Sequence, residues 1–157
     1  MNISLNTGLV NRDLNLLAPF FRERAIIAIA AANDAGYPVQ IFEGFRTPQR
    51  QAALLKMSQT GQHVATTKGA WQSWHQYGLA FDIAYYLTPS LKNPWSWDGN
   101  FEKPAQIIKS KGLEWIPEFE LGHFQLTGGL HVSDAYQITR DYGLQTLWLE
   151  VKARLKL

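Results

Sequence analysis

The segment Ser73-Trp-His75-Gln-Tyr-Gly78-Leu-Ala80-Phe-Asp82 brings an imidazole and a carboxylate onto one short stretch of chain. Side chains alternate across a strand, so in the run Leu79 to Tyr86 (LAFDIAYY) Ala80, Asp82 and Ala84 share one face and Phe81, Ile83 and Tyr85 the other. Small residues flanking the acid leave room for something larger than a side chain. An ionised carboxylate on so apolar a strand needs a cation or hydrogen-bonding partners. A second histidine, His123, opens the strand HFQLT with Gln125 on its own parity, and if the two strands are neighbours their polar faces coincide. His75, Asp82 and His123 then make a three-ligand set suited to zinc, with a fourth position left for water. Glu120, close before His123, can stand beside that water as a general base. Arg46, directly after the first strand, is a candidate for steadying an oxyanion. A plainer account has Asp82 as a buried acid paired with Arg46.

These residues need elements to hold them. Apolar Phe20, Phe21, Ile26, Ile27 and Ile29, an early proline and Gly36 just beyond predict a helix from Pro19 to Asp34. Val39 to Phe45 reads as a short strand, and Thr47-Pro48 starts a second helix carrying Ala52, Ala53, Leu54, Leu55 and Met57. Ser58 to Gly78 is polar, contains glycine and has no period, as expected of a long ordered loop. A second loop, Leu87 to Phe101, precedes a short helix from Lys103 to Lys111. Leu144, Leu147, Trp148, Val151 and Leu155 fall on helical spacing, which predicts an amphipathic helix on the core. Helices first and strands later favour an α+β fold with a small antiparallel sheet on which the helices pack.

Composition narrows the chemistry. The 157 residues suit a single domain spanning 1–157, and 46% hydrophobic with 13% aromatic content is enough for a core. A net charge of +2 does not point to nucleic acid, and the absence of cysteine removes thiol nucleophiles and thiolate metal sites. The start, MNISLNTGLVNRDLN, shows no secretory signal, and the longest apolar run, Ala25 to Ala32, is too short to span a bilayer. The expectation is a soluble monomer without membrane association, made in the cytoplasm.

Three blocks carry a family resemblance: Glu43-Gly-Phe-Arg46-Thr-Pro-Gln-Arg-Gln51, the Ser73 to Asp82 segment, and Gly122-His123-Phe124-Gln125-Leu126. Together they resemble the zinc peptidases of bacterial cell walls, which include VanY-type D,D-carboxypeptidases, D-Ala-D-Ala dipeptidases and the L-alanyl-D-glutamate endopeptidases of phage endolysins. The resemblance implies one Zn2+ held by His75, Asp82 and His123. It makes Glu120 the catalytic acid and base and Arg46 the residue that polarises the scissile carbonyl, with Ser73 and Gln51 near the substrate. It implies a hedgehog/D,D-peptidase-like fold and a peptidoglycan stem peptide as substrate, reached in the periplasm or wall after release or delivery. The bond expected to be cut is L-alanyl-D-glutamate, as in an endolysin. A D,D- or L,D-carboxypeptidase trimming terminal D-Ala and a non-catalytic zinc or wall-binding module are the alternatives.

Two features differ from that family. Endolysin-like members carry Asp where this chain has Glu120; the dipeptidase branch, like this chain, uses Glu. A Trp-Gly-Gly segment is replaced by Gly112-Leu-Glu-Trp115-Ile-Pro-Glu118-Phe, which predicts an altered substrate wall and makes Glu118 a second candidate base. His63 is read as a solvated loop residue and His131, after Gly128-Gly129, as exposed. Trp71, Trp74, Trp95 and Trp97 either cover a small core or line a groove that stacks on peptide or sugar.

Overall fold

The structure, a computed structural model, describes residues 10–61, 66–89, 91–117 and 120–157. His63, Glu118 and the first nine residues of the start segment lie outside the described residues. The helix α1 runs Pro19–Asp34, opened by the proline and followed by Gly36 at φ 91°. Its buried residues Phe21, Ala25, Ala28, Ile29 and Ala32 form one stripe, and the alanines let the helix lie close on the sheet. Strand β1 is Val39–Glu43, and helix α2, Pro48–Gln59, begins where Thr47 Oγ1 accepts from the Arg50 amide at 3.1 Å.

Strand β2, Ala80–Tyr86, is the middle of the sheet, which runs in the order β1-β2-β5-β4 with all pairings antiparallel; β5 is His123–Gln125 and β4 is Glu114–Trp115. A further short strand β3, Trp95–Ser96, pairs with the end of β2. On one face of β2, Phe81 lies 5.5 Å from both Phe21 of α1 and Phe124 of β5, ring centre to ring centre, and this aromatic row is the core. Such pairs add about 0.5–1.5 kcal/mol each beyond the area they bury. Helix α3, Glu102–Ser110, packs beside α1, while α4, Val132–Tyr142, and α5, Leu144–Arg154, close the chain. The fold is α+β with a small antiparallel sheet, as the pattern predicts.

Several details depart from expectation, among them the strand β3 inside Leu87 to Phe101, where a loop is expected. β4 and α4 are additional elements: β4 is only two residues long, and α4 shows its period through just Val132, Ala135 and Ile138, with the Asp134 carboxylate accepting from the His131 amide at 2.9 Å to start it. The long loop contains a 3-10 turn, Trp74–Tyr77, which ends at Gly78 with φ 65°. A Cβ at Gly78 would sit 2.6 Å from the Leu16 carbonyl oxygen, so glycine is needed here both for its conformation and for close approach. Among the described residues no helix is long and apolar enough to cross a membrane.

Candidate metal centre

The second face of β2 carries Asp82 between Ala80 and Ala84, all three buried. Register sets Asp82 opposite His123 on β5 and opposite Glu43 on β1. A bulge between Ile41 and Glu43 shifts that edge, and the chain beyond it delivers Arg46 to the same face. His75 arrives from the 3-10 turn, which Gly78 folds back toward β2.

Two imidazoles converge on one carboxylate oxygen. Asp82 Oδ1 is 3.1 Å from His75 Nε2 and 2.9 Å from His123 Nδ1, and the three ligand atoms lie within 4.8 Å of one another. His75 Nδ1 is 2.6 Å from the Gly44 carbonyl, an acceptor only, so Nδ1 carries the proton and Nε2 presents its lone pair to Asp82. A carboxylate oxygen facing an imidazole lone pair suits a shared cation. A tetrahedral site with bonds of roughly 2.0–2.1 Å has ligand-to-ligand edges of about 3.3 Å, close to the two separations between Asp82 Oδ1 and the histidine nitrogens. The residues present therefore fit a divalent metal with a neutral imidazole, carboxylate, imidazole donor set.

The remaining Asp82 oxygen belongs to Arg46, whose Nη2 donates to Oδ2 at 2.9 Å. Arg46 also donates to Glu43 Oε2 from Nε at 3.0 Å and from Nη2 at 2.7 Å, and to Gln51 Oε1 from Nη1 at 3.0 Å. Arg50 Nε reaches the other Glu43 oxygen at 3.1 Å. Burial alone would raise the pKa of Asp82, but its surroundings, with His75, His123 and the Arg46 guanidinium against its oxygens, hold its carboxyl well below the usual carboxylate range. Burial, with the nearby Arg46 charge, pushes the pKa of His75 down toward the neutral imidazole.

The other candidate residues fall in distinct places. Glu120 shares the site's electrostatics and joins β5 through its carbonyl, which accepts from the His123 amide at 3.3 Å. Burial, reinforced by the negative charge of Asp82, pushes its carboxyl up to about 7. Ser73 is buried at the start of the 3-10 turn, where its amide donates to Gln76 Oε1 at 3.3 Å. Gln51 is fully buried, with Oε1 on Arg46 and Nε2 donating to the Lys68 carbonyl at 2.7 Å and to Thr66 Oγ1 at 3.2 Å. It braces Arg46 against the segment before Ser73.

Sequence reasoning missed the outer members of this network. Gln125 has the parity of His123, and its Oε1 lies 3.1 Å from His123 Nε2. Glu114 of β4 stands opposite Gln125 and accepts from its Nε2 at 3.3 Å. The Gln125 parity was a readable signal; Glu114 had none, since a two-residue strand has no period. The tryptophans divide. Trp74 is buried against Tyr77 and Trp71 lies between Tyr77 and Tyr136, while Trp95 and Trp97 stand edge-on to Phe42 at 5.2 and 5.0 Å. His131 is exposed at the start of α4.

No protein-family model matches the chain. By sequence it is 34% identical to the peptidoglycan L-alanyl-D-glutamate endopeptidase CwlK of Bacillus subtilis (strain 168), over 63% of this chain and 64% of that protein's length. Among solved structures, the L-Ala D-Glu endopeptidase ChiX of Serratia marcescens aligns with 83% of this chain and 87% of its own, at 21% identity and a TM-score of 0.48. The chain thus matches a wall endopeptidase over somewhat less than two thirds of that protein's length.

Proposed function

We propose that this chain is a metal-dependent peptidase of the VanY-like kind that hydrolyses the L-alanyl-D-glutamate bond of peptidoglycan stem peptides. In this reading His75 Nε2, Asp82 Oδ1 and His123 Nδ1 hold one zinc ion. The observation that carries the proposal is the convergence of those three atoms at 2.9 and 3.1 Å around a buried carboxylate. The similarity to a peptidoglycan L-alanyl-D-glutamate endopeptidase supports the substrate.

Bound there, zinc would supply Lewis-acid polarisation of the amide carbonyl and of the attacking water. Glu120 takes the proton of the attacking water onto its carboxylate as the oxygen adds to the carbonyl carbon. It returns that proton to the departing nitrogen as the C–N bond breaks. A carboxyl with a pKa of about 7 is matched to accepting and returning one proton near neutral pH. Arg46 keeps Asp82 oriented through Oδ2 and lends its positive charge to the oxygen that gains negative charge. The new amine is that of D-glutamate and the new carboxylate that of L-alanine.

Mass spectrometry of muropeptides after incubation with the purified, zinc-supplemented chain tests this. The expected product is a released stem peptide beginning at D-glutamate. Loss of terminal D-alanine alone would make the enzyme a carboxypeptidase, and unchanged muropeptides would leave a zinc or wall-binding module.

A further inference from the structure

The two histidines of the metal centre are held in their working tautomers by different means. His75 is set by a backbone carbonyl. His123 has no such partner at Nε2; that nitrogen faces the side-chain amide of Gln125. An amide can offer either its oxygen or its NH2, so Gln125 by itself does not decide which His123 nitrogen carries the proton.

Glu114 decides it. Its carboxylate only accepts, and its oxygens already receive the Thr127 amide at 2.8 Å and the Thr127 hydroxyl at 3.0 Å. Facing that acceptor, Gln125 must present Nε2–H, which it does at 3.3 Å, and this turns Oε1 toward His123. His123 Nε2 must then carry the proton, leaving the Nδ1 lone pair pointed at the group formed with Asp82 and His75. We propose that Glu114 and Gln125 are positioning residues that act in series from β4 through β5 to fix His123 as an Nδ1 metal ligand. The inference rests on the reading of His123 as a ligand.

The geometry suits this role. Gln125 and Glu114 occupy facing positions in the β4–β5 register, so backbone pairing sets their spacing. Gln125 is 9% exposed and Thr127 7%, so water competes weakly for these bonds. Outer hydrogen bonds of this kind typically change metal affinity by about 10–100-fold when removed.

The test is zinc affinity of the full chain, measured by competition with a chromophoric chelator, with the visible absorption of the Co2+-substituted protein as a second readout. Gln125→Ala should weaken zinc by about 10–100-fold and alter the Co2+ bands. Glu114→Ala should weaken it in the same direction, and the two changes combined should be less than additive. The exchanged pair Glu114→Gln with Gln125→Glu restores a donor at 114 and an acceptor at 125, and should recover zinc affinity to within about threefold of the parent, since the outer-bond effect is then regained. That pair also guards against misfolding of the alanine variants. Zinc affinity of Gln125→Ala equal to the parent's would overturn the proposal, as would an exchanged pair no better than the alanine variants. A parent chain that binds no zinc removes the metal reading and the relay together. Tight zinc binding with the expected variant effects but no muropeptide cleavage leaves the relay standing and removes only the proposed activity.

Discussion

Asp82 has two flanks, and they are built from different materials. Toward β1 it meets Arg46, itself tied to Glu43 and Gln51, with Arg50 closing on the far Glu43 oxygen. Toward β5 it faces His123, behind which Gln125 and Glu114 continue by hydrogen bonds to a carboxylate at the outer end. The first flank compensates charge, placing one guanidinium between two buried carboxylates. The second sets the position of one proton. A break in the first flank should therefore register in folding, and a break in the second in metal affinity.

The largest effect is expected from Arg46→Ala. It strands Asp82 and Glu43 without their shared guanidinium, and breaking a buried pair from one side costs about 3–5 kcal/mol. Denaturant midpoints report this directly. Arg46→Lys should recover only part of the loss, because an ammonium cannot match the fork that now spans Asp82, Glu43 and Gln51. If Arg46→Ala melts like the parent and loses only activity, the β1 flank is not a charge scaffold.

Glu120→Ala comes next and belongs to neither flank. Removing a general base typically costs about 10²–10⁴-fold in rate. Zinc content should stay near one equivalent by the stoichiometry of the proposed site, and the fold should not be destabilised, because a carboxylate whose pKa burial raises to about 7 opposes folding at neutral pH. Full activity in this variant would remove Glu120 from the chemistry. Chelation should act on both flanks at once, since the metal would join His75 to His123 across Asp82. Ligand present at 100 times its Kd stabilises by about 2.7 kcal/mol, so stripping it should lower Tm by roughly 5–10 °C in a domain of this size. A Tm indifferent to chelator would mean that the three residues hold their places without a metal.

Much of the architecture was readable because its causes are local. Pro19 and Gly36 bracket α1, and its predicted and observed bounds coincide. Alternation along LAFDIAYY separates Asp82 from Phe81, and the same parity argument aligns His123 with Asp82 once β2 and β5 are neighbours. What was not readable depends on register and rotamer. Arg46 could be placed near the acid, but not its fork across Glu43 and Gln51, which follows from a bulge of one residue in β1. Glu114 gains its meaning only from lying opposite Gln125 in a two-residue strand that leaves no periodic trace.

Thr127 offers the finest test of the comparison. Its hydroxyl donates toward both Glu114 oxygens at 3.0 Å, while its backbone amide donates at 2.8 Å. Thr127→Val keeps the shape and the amide but deletes the hydroxyl, so Glu114 retains two of its partners. The expected cost is about 1.5–3 kcal/mol in thermal or chemical unfolding, because the hydroxyl donates to a charged carboxylate and also accepts from the Gly129 amide at 3.1 Å. Zinc affinity should change by less than about threefold, because the backbone amide and Gln125 still orient the carboxylate. A loss of zinc affinity as large as that of Gln125→Ala would mean that the hydroxyl, rather than the register of β4 on β5, sets the direction of Glu114. The proton on His123 would then be governed from the loop after β5 instead of from the sheet.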